Sequence, residues 1–164
     1  MLVLGIDPGI ALTGYGVVRA GPSGDAEYVA HGVIDTPAGD PVERRLQTIY
    51  REMRALVDRY RPHSAGIEKL LFGKNVTNAI LVGQARGVTL LALADCGLST
   101  TEYTPAEVKQ AVAGYGNAEK GQVQEMLRLL LRLEAIPRPD DAADALAVAI
   151  THLYSLRYQQ IIEG

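Results

Sequence analysis

Val3-Leu4-Gly5-Ile6-Asp7-Pro8-Gly9 is an apolar run that stops on a carboxylate and then turns, and Thr13–Arg19 (TGYGVVR) follows it after a short link. Apolar residues bounded by Pro-Gly read as a short strand buried in a sheet. An acid at the end of such a strand is costly unless something pairs with it. Asp-Pro-Gly also reads as plain turn chemistry, because Asp bonds its own backbone, Pro presets φ and Gly accepts a positive φ. Both readings stay open on this segment alone.

Working outward, Thr13–Arg19 reads as a second strand and Tyr28–Ile34 as a third, across a turn at residues 21–25. Three strands on short links make a meander. Val42, Leu46, Ile49, Met53, Leu56, Val57 and Tyr60 then repeat at the spacing of one helical face over residues 41–60, which predicts a helix packed on the sheet. Pro62 stops it, and Ser64–Glu68 (SAGIE) reads as a fourth strand that again ends on an acid. Asn75 or Thr77 is placed to cap a helix through about Ala94. Ser99–Tyr103 reads as a fifth strand, and Thr104-Pro105 opens a helix in the favoured order of cap then proline. Further helices are expected from about Asn117 through Leu133 and from Asp140 through about Tyr154. This order predicts an α/β fold: a five-stranded mixed sheet, antiparallel meander plus parallel strands, with helices on both faces. The domain is expected over residues 1–158, with a short C-terminal tail at 159–164.

The chain has 164 residues, is 48% hydrophobic and 21% charged, and has a net charge of −3. That suits one globular domain. Its apolar stretches fall short of the ~20 residues that span a bilayer, and no basic segment precedes the first apolar run, so neither a membrane nor a secretory route is expected. The single cysteine, Cys96, excludes an internal disulfide and a multi-cysteine zinc site and fits a reducing cytoplasm; its apolar setting suggests inert core. The acidic balance does not advertise nucleic acid. One local asymmetry stands out: from Lys69 to Ala94 there is no Asp or Glu, while Lys69, Lys74 and Arg86 are present.

The third acidic element is Asp140-Asp141-Ala142-Ala143-Asp144. Residues three apart share a helix face, so Asp141 and Asp144 project together. Asp140 is a natural N-cap, and acids in a first turn complement the helix dipole; Asp144, one turn on among small alanines, is less well accounted for. Parallel strands bring their C-terminal ends, here Asp7 and Glu68, to the edge where open α/β sheets place ligands. Four acids at one edge repel each other unless cations neutralise them. Hard divalent ions do so through oxygen ligands, and a pair about 3.5–4 Å apart would serve phosphodiester cleavage. His31, His63 and His152 are scattered, so zinc is not expected.

On these residues the chain resembles the RuvC-type Holliday-junction resolvases of bacteria, from Leu4 to His152. The likeness rests on GIDPG then TGYGVV, on AGIE, on Lys74-Asn75 with GQARGV (Gly83 to Val88), on VKQAVAGYGNAEKGQVQ (Val108 to Gln124) and on DAADALAVAITH (Asp141 to His152). The resemblance implies a ribonuclease H-like fold and a homodimer that cuts two opposed strands of a four-way DNA junction in recombination and repair. It implies Asp7, Glu68, Asp141 and Asp144 as metal-binding acids, with Mg²⁺ or Mn²⁺ as the metal, two ions to a site. The expected products carry 5′-phosphate and 3′-hydroxyl ends. Lys109 and Lys120, which read by themselves as solvated helix charge, are implied near the scissile phosphate. A branch-migration complex of the RuvA and RuvB type is the expected partner. DNA contacts are expected at Leu71, Phe72, Lys74, Asn75, Arg86, Lys109 and Lys120. The best-known members carry a junction-wedging aromatic three residues past the strand-end Glu; that position here is Leu71, so Phe72, assisted by Leu71, is the expected wedge. The segment Ile80, Leu81, Val88 and Leu91 offers a dimer contact. Rival readings are a related nuclease acting on RNA, a nucleotide-binding ATPase of the actin and hexokinase type, and a junction-binding protein without catalysis.

Overall fold

The sheet is built around β1 (Leu2–Asp7), whose side chains alternate between two cores. Val3 faces one, Leu4 and Ile6 the other, as the two-residue period of a strand requires. In this computed structural model, which describes residues 1–69, 71 and 73–164, β1 pairs antiparallel with β2 (Leu12–Ala20), and β2 with β3 (Ala26–Asp35). On its other side β1 pairs parallel with β4 (Ser64–Glu68), and β4 with β5 (Thr100–Tyr103). The order β3-β2-β1-β4-β5 is the expected meander extended by parallel strands.

One face carries α1 (Val42–Tyr60) and α2 (Val76–Asp95) over Leu4, Ile6, Val17, Ile49, Met53 and Leu93. The other carries α3 (Pro105–Ala113), α4 (Lys120–Leu130) and α5 (Asp140–Glu163) over Val3, Val18, Val108, Leu127 and Leu146. Asn75 caps α2 by accepting from the Asn78 amide at 3.1 Å. Thr104 and Glu107 form a reciprocal capping box on α3, which satisfies two orphan amides at once.

Strands β2, β3 and β5 differ from expectation by one or two residues at their ends, and the helices differ further. Helix α4 starts at Lys120 rather than near Asn117, because Glu119 and Gln122 form its capping box. It ends at Leu130 instead of Leu133. Helix α5 continues to Glu163, past Tyr154 and through most of the expected tail, since no Gly or Pro interrupts residues 155–163. Asp140 is the first helical residue of α5 and Pro139 its N-cap, without a side-chain capping bond; the carboxylate expected to cap is engaged elsewhere.

By length and composition α2 is apolar enough to cross a membrane, which segment-by-segment inspection of the sequence missed. Its buried line of Ala85, Thr89, Ala92 and Leu93 packs on the core. Leu81 and Val88 pack against that core too, whereas Ile80 and Leu91 are exposed with Val76 along one stripe. Cys96 is half-buried at the end of α2.

Candidate active site

Asp7 closes β1, and the turn after it is fastened to β2. The Thr13 hydroxyl donates to the Gly9 carbonyl at 2.7 Å, and the Gly9 amide donates back to Thr13 Oγ1 at 3.3 Å. Directly across the ladder from Asp7 lies Gly14. A Cβ there would stand 1.9 Å from the Asp141 carbonyl oxygen, and one on Gly5 2.2 Å from that of Ala145. Backbone of α5 therefore lies directly on the sheet, and only glycine permits the approach. Ala142, Ala145 and Ala149 are on the helix side of the same contact. Since Ile6 pairs with Ile67, the next residues, Asp7 and Glu68, emerge side by side at one sheet edge. Arg86 of α2 holds Glu68 from behind, donating to its carbonyl and pairing with Glu102 of β5.

These carboxyl groups feel one another. Burial first, then a hydrogen bond with Glu68 and the charges of Glu68, Asp144 and Asp141, push the Asp7 carboxyl up to about 9. Asp144 is pushed up to about 6, mainly by burial, with Lys120 opposing the rise and Glu68, Asp141 and Asp140 adding to it. Two acids that resist ionisation at one edge have the electrostatics of a cation site whose charge is supplied from outside. Among the described residues no three His, Cys, Asp or Glu side chains already enclose one ion-sized point. The donor set is oxygen throughout, which suits a hard divalent cation and not zinc.

Two clefts flank the acids. The larger, about 230 Å³, is lined by Glu68 and Asp144, by Lys109 of α3 and Lys120 of α4, and by an apolar floor that includes Val108, Val123 and Leu127. The smaller, about 90 Å³, lies between Asp7, Glu68, Lys69, Leu71 and Arg86. Glu68 belongs to both. Lys120 Nζ lies 2.9 Å from Asp140 Oδ2 and 4.0 Å from Asp144 Oδ2.

The family model described as crossover junction endodeoxyribonuclease RuvC matches residues 3–152. The chain belongs to the RuvC family. The RuvC of Chloroflexus aurantiacus is 56% identical over 155 residues, 94% of either chain. That of Brevibacillus brevis is 54% identical over 164 residues, all of this chain and 98% of its own. Among solved structures, T. thermophilus RuvC in complex with a Holliday junction substrate superposes with a TM-score of 0.92 at 37% identity, covering 97% of this chain and 96% of that one. The fold is thus ribonuclease H-like and the enzyme a crossover junction endodeoxyribonuclease. The ATPase and non-catalytic readings fall away.

Within this RuvC member the acids expected from sequence meet at one edge, and both lysines line the adjoining cleft. Leu71 is 59% exposed beside Asp7's cleft; Phe72 lies outside the described residues. Lys74 and Asn75 are exposed, Asn75 using its carbonyl to cap α2. Arg86, expected at DNA, is turned inward, its side chain 11% exposed and committed to Glu68 and Glu102. The histidines serve elsewhere: His31 bonds Tyr28, His63 bonds the Leu2 backbone, and His152 is core. Sequence reasoning missed Thr13, Gly14, Arg86 as a brace, and Asp140 as the partner of Lys120. Only Gly14 carried a local signal, a glycine inside a strand.

Proposed function

We propose that this RuvC member resolves four-way DNA junctions by divalent-cation-dependent cleavage, with Asp7, Glu68, Asp141 and Asp144 holding Mg²⁺ or Mn²⁺, two ions to a site. The observation that carries it is the convergence of acids from β1, β4 and α5 on one edge, with the Asp7 carboxyl raised to about 9 by burial and its acidic neighbours. Two such ions supply a water of lowered pKa and charge to offset the leaving oxygen. Asp7, central among the acids, would hold both ions, Glu68 and Asp144 would complete the ligands, and Asp141 would ligate an ion or orient a water. Lys109 and Lys120 neutralise the scissile phosphate from the larger cleft, and its apolar floor limits water there. Products carry 5′-phosphate and 3′-hydroxyl ends.

Residues 1–158 act as one nuclease domain in a homodimer, in which two-fold protein symmetry matches the paired cuts of a two-fold junction. The exposed stripe Val76, Ile80 and Leu91 is suited to that contact. Leu71, Phe72, Lys74 and Asn75 meet the DNA, with Phe72 and Leu71 as the wedge, while Arg86 acts through Glu68. The enzyme works in the cytoplasm, beside a branch-migration complex of the RuvA and RuvB type. Incubating a synthetic four-way junction with Mg²⁺, Mn²⁺ or EDTA tests the reading: symmetric, ligatable nicks are expected with either metal and none with EDTA. Cleavage that persists in EDTA, or nicks that ligase cannot seal, would refute it.

A further inference from the structure

Lys120 is the first residue of α4 and its side chain is 57% exposed. Nothing in its own helix holds it, since a cation at a helix N-terminus opposes the dipole and a solvated lysine explores many rotamers. What fixes it comes from α5. Asp140 Oδ2 takes Lys120 Nζ at 2.9 Å, while Asp140 Oδ1 accepts from Arg138 Nη1 at 3.0 Å and from Gln124 Nε2 at 3.4 Å. Gln124 stands one turn beyond Lys120 on α4, so a single carboxylate spans the first turns of α4 and α5 at the mouth of the larger cleft. We propose that Asp140 is a positioning residue for the reaction, tethering the Lys120 ammonium toward the scissile phosphate. The inference rests on Lys120 being the phosphate-facing group.

Asp144, 4.0 Å from the ammonium, does not substitute for this tether. Its charge is directed to a cation, and once neutralised it attracts a lysine less. Asp140 lies outside the proposed ligand set, so its 2.9 Å contact with Lys120 Nζ is not drawn away by a cation held there. Lys120 therefore stays at the cleft mouth when the acids are occupied. Losing one point of orientation misplaces the ammonium without removing it, a defect of rate and not of affinity.

The test is single-turnover cleavage of a synthetic four-way junction in Mg²⁺, with junction affinity measured separately in Ca²⁺ and folding checked by thermal unfolding. Asp140→Asn is expected to slow cleavage about tenfold with affinity within about twofold of wild type, and Asp140→Glu to recover most of the rate. In a Lys120→Ala background, Asp140→Asn is expected to add nothing, because the tether has lost its object. Wild-type cleavage by Asp140→Asn alongside slow cleavage by Lys120→Ala would overturn the tether alone. Slowing of Lys120→Ala by a further tenfold would also overturn it, by showing that Asp140 acts on something else. Wild-type cleavage by Lys120→Ala would instead overturn the reading of Lys120 on which the proposal rests.

Discussion

Strand β4 carries polar groups against α5 at both of its ends, and the two ends are opposites: a buried network at Ser64 and half-buried acids at Glu68. At the far end Ser64 Oγ lies 2.7 Å from His152 Nε2, and Tyr103 Oη 2.9 Å from His152 Nδ1. Both imidazole nitrogens thus have partners in the core, and burial drives His152 down to about 4, so the ring is neutral. At the near end Asp7 faces Glu68, Asp144 and Asp141, and only Asp144 has a cation, Lys120, among the neighbours that act on these two raised acids. A satisfied buried network stabilises and fixes geometry, whereas like charges left facing each other cost stability. The difference separates what holds β4 to α5 from what that attachment is for.

Replacing Asp7 with Asn strikes the costly end and carries the largest expected effect. Junction cleavage should fall about 10³-fold or more, as for other groups that act as one unit, while junction binding persists and metal-free thermal stability rises. A variant that cleaves normally, or that melts lower than wild type without metal, would erase the contrast. His152→Ala strikes the satisfied end. It strands two hydroxyls and opens a cavity, so urea denaturation should show a loss of about 3 kcal/mol; a loss under about 1 kcal/mol would mean the network is idle.

Added cation should narrow the gap between the two ends. Millimolar Mg²⁺ is expected to raise the thermal midpoint of wild type by a few degrees through binding to the folded state alone. Asp7→Asn should show little of that rise, and an equal rise in both would place the ion elsewhere.

The smallest effect is in pH, where the two ends have opposite signs. Asp7 binds its proton more tightly folded than unfolded, about 9 against 3.8, so its contribution to stability declines as pH rises toward 9. His152 is depressed from 6.5 to about 4, so its contribution is complete above 6.5 and is lost as pH falls below that value. Between 4 and 6.5 the two oppose each other. From about 6.5 to 9, without metal, Asp7 dominates: wild-type stability should fall with rising pH, and Asp7→Asn should flatten the curve. A flat wild-type curve there would show that Asp7 is not held protonated.

Much of this was legible along the chain because the signals are local. Ser64–Glu68 is observed as read, and Asn75 and Thr104 cap the helices expected of them. Helix boundaries slipped where the cap lay beyond the expected start, as at Glu119 past Asn117, or where a helix continued because nothing stopped it, as beyond Tyr154. Arg86 shows a limit of another kind: its brace on Glu68 was not legible, because the partner it pairs with, Glu102, lies on β5, sixteen residues away.

Sequence by itself determined the fold class and the family and named the candidate carboxylates, because periodicity, capping chemistry and motif order are properties of neighbouring residues. Tertiary structure alone decided how those carboxylates bear on each other. Asp7 is raised because glycine backbone in β1 and β2 lets α5 settle against the sheet, and Lys120 is held because α4 and α5 begin side by side at Asp140. Burial and through-space charge depend on distances that close only when the chain folds.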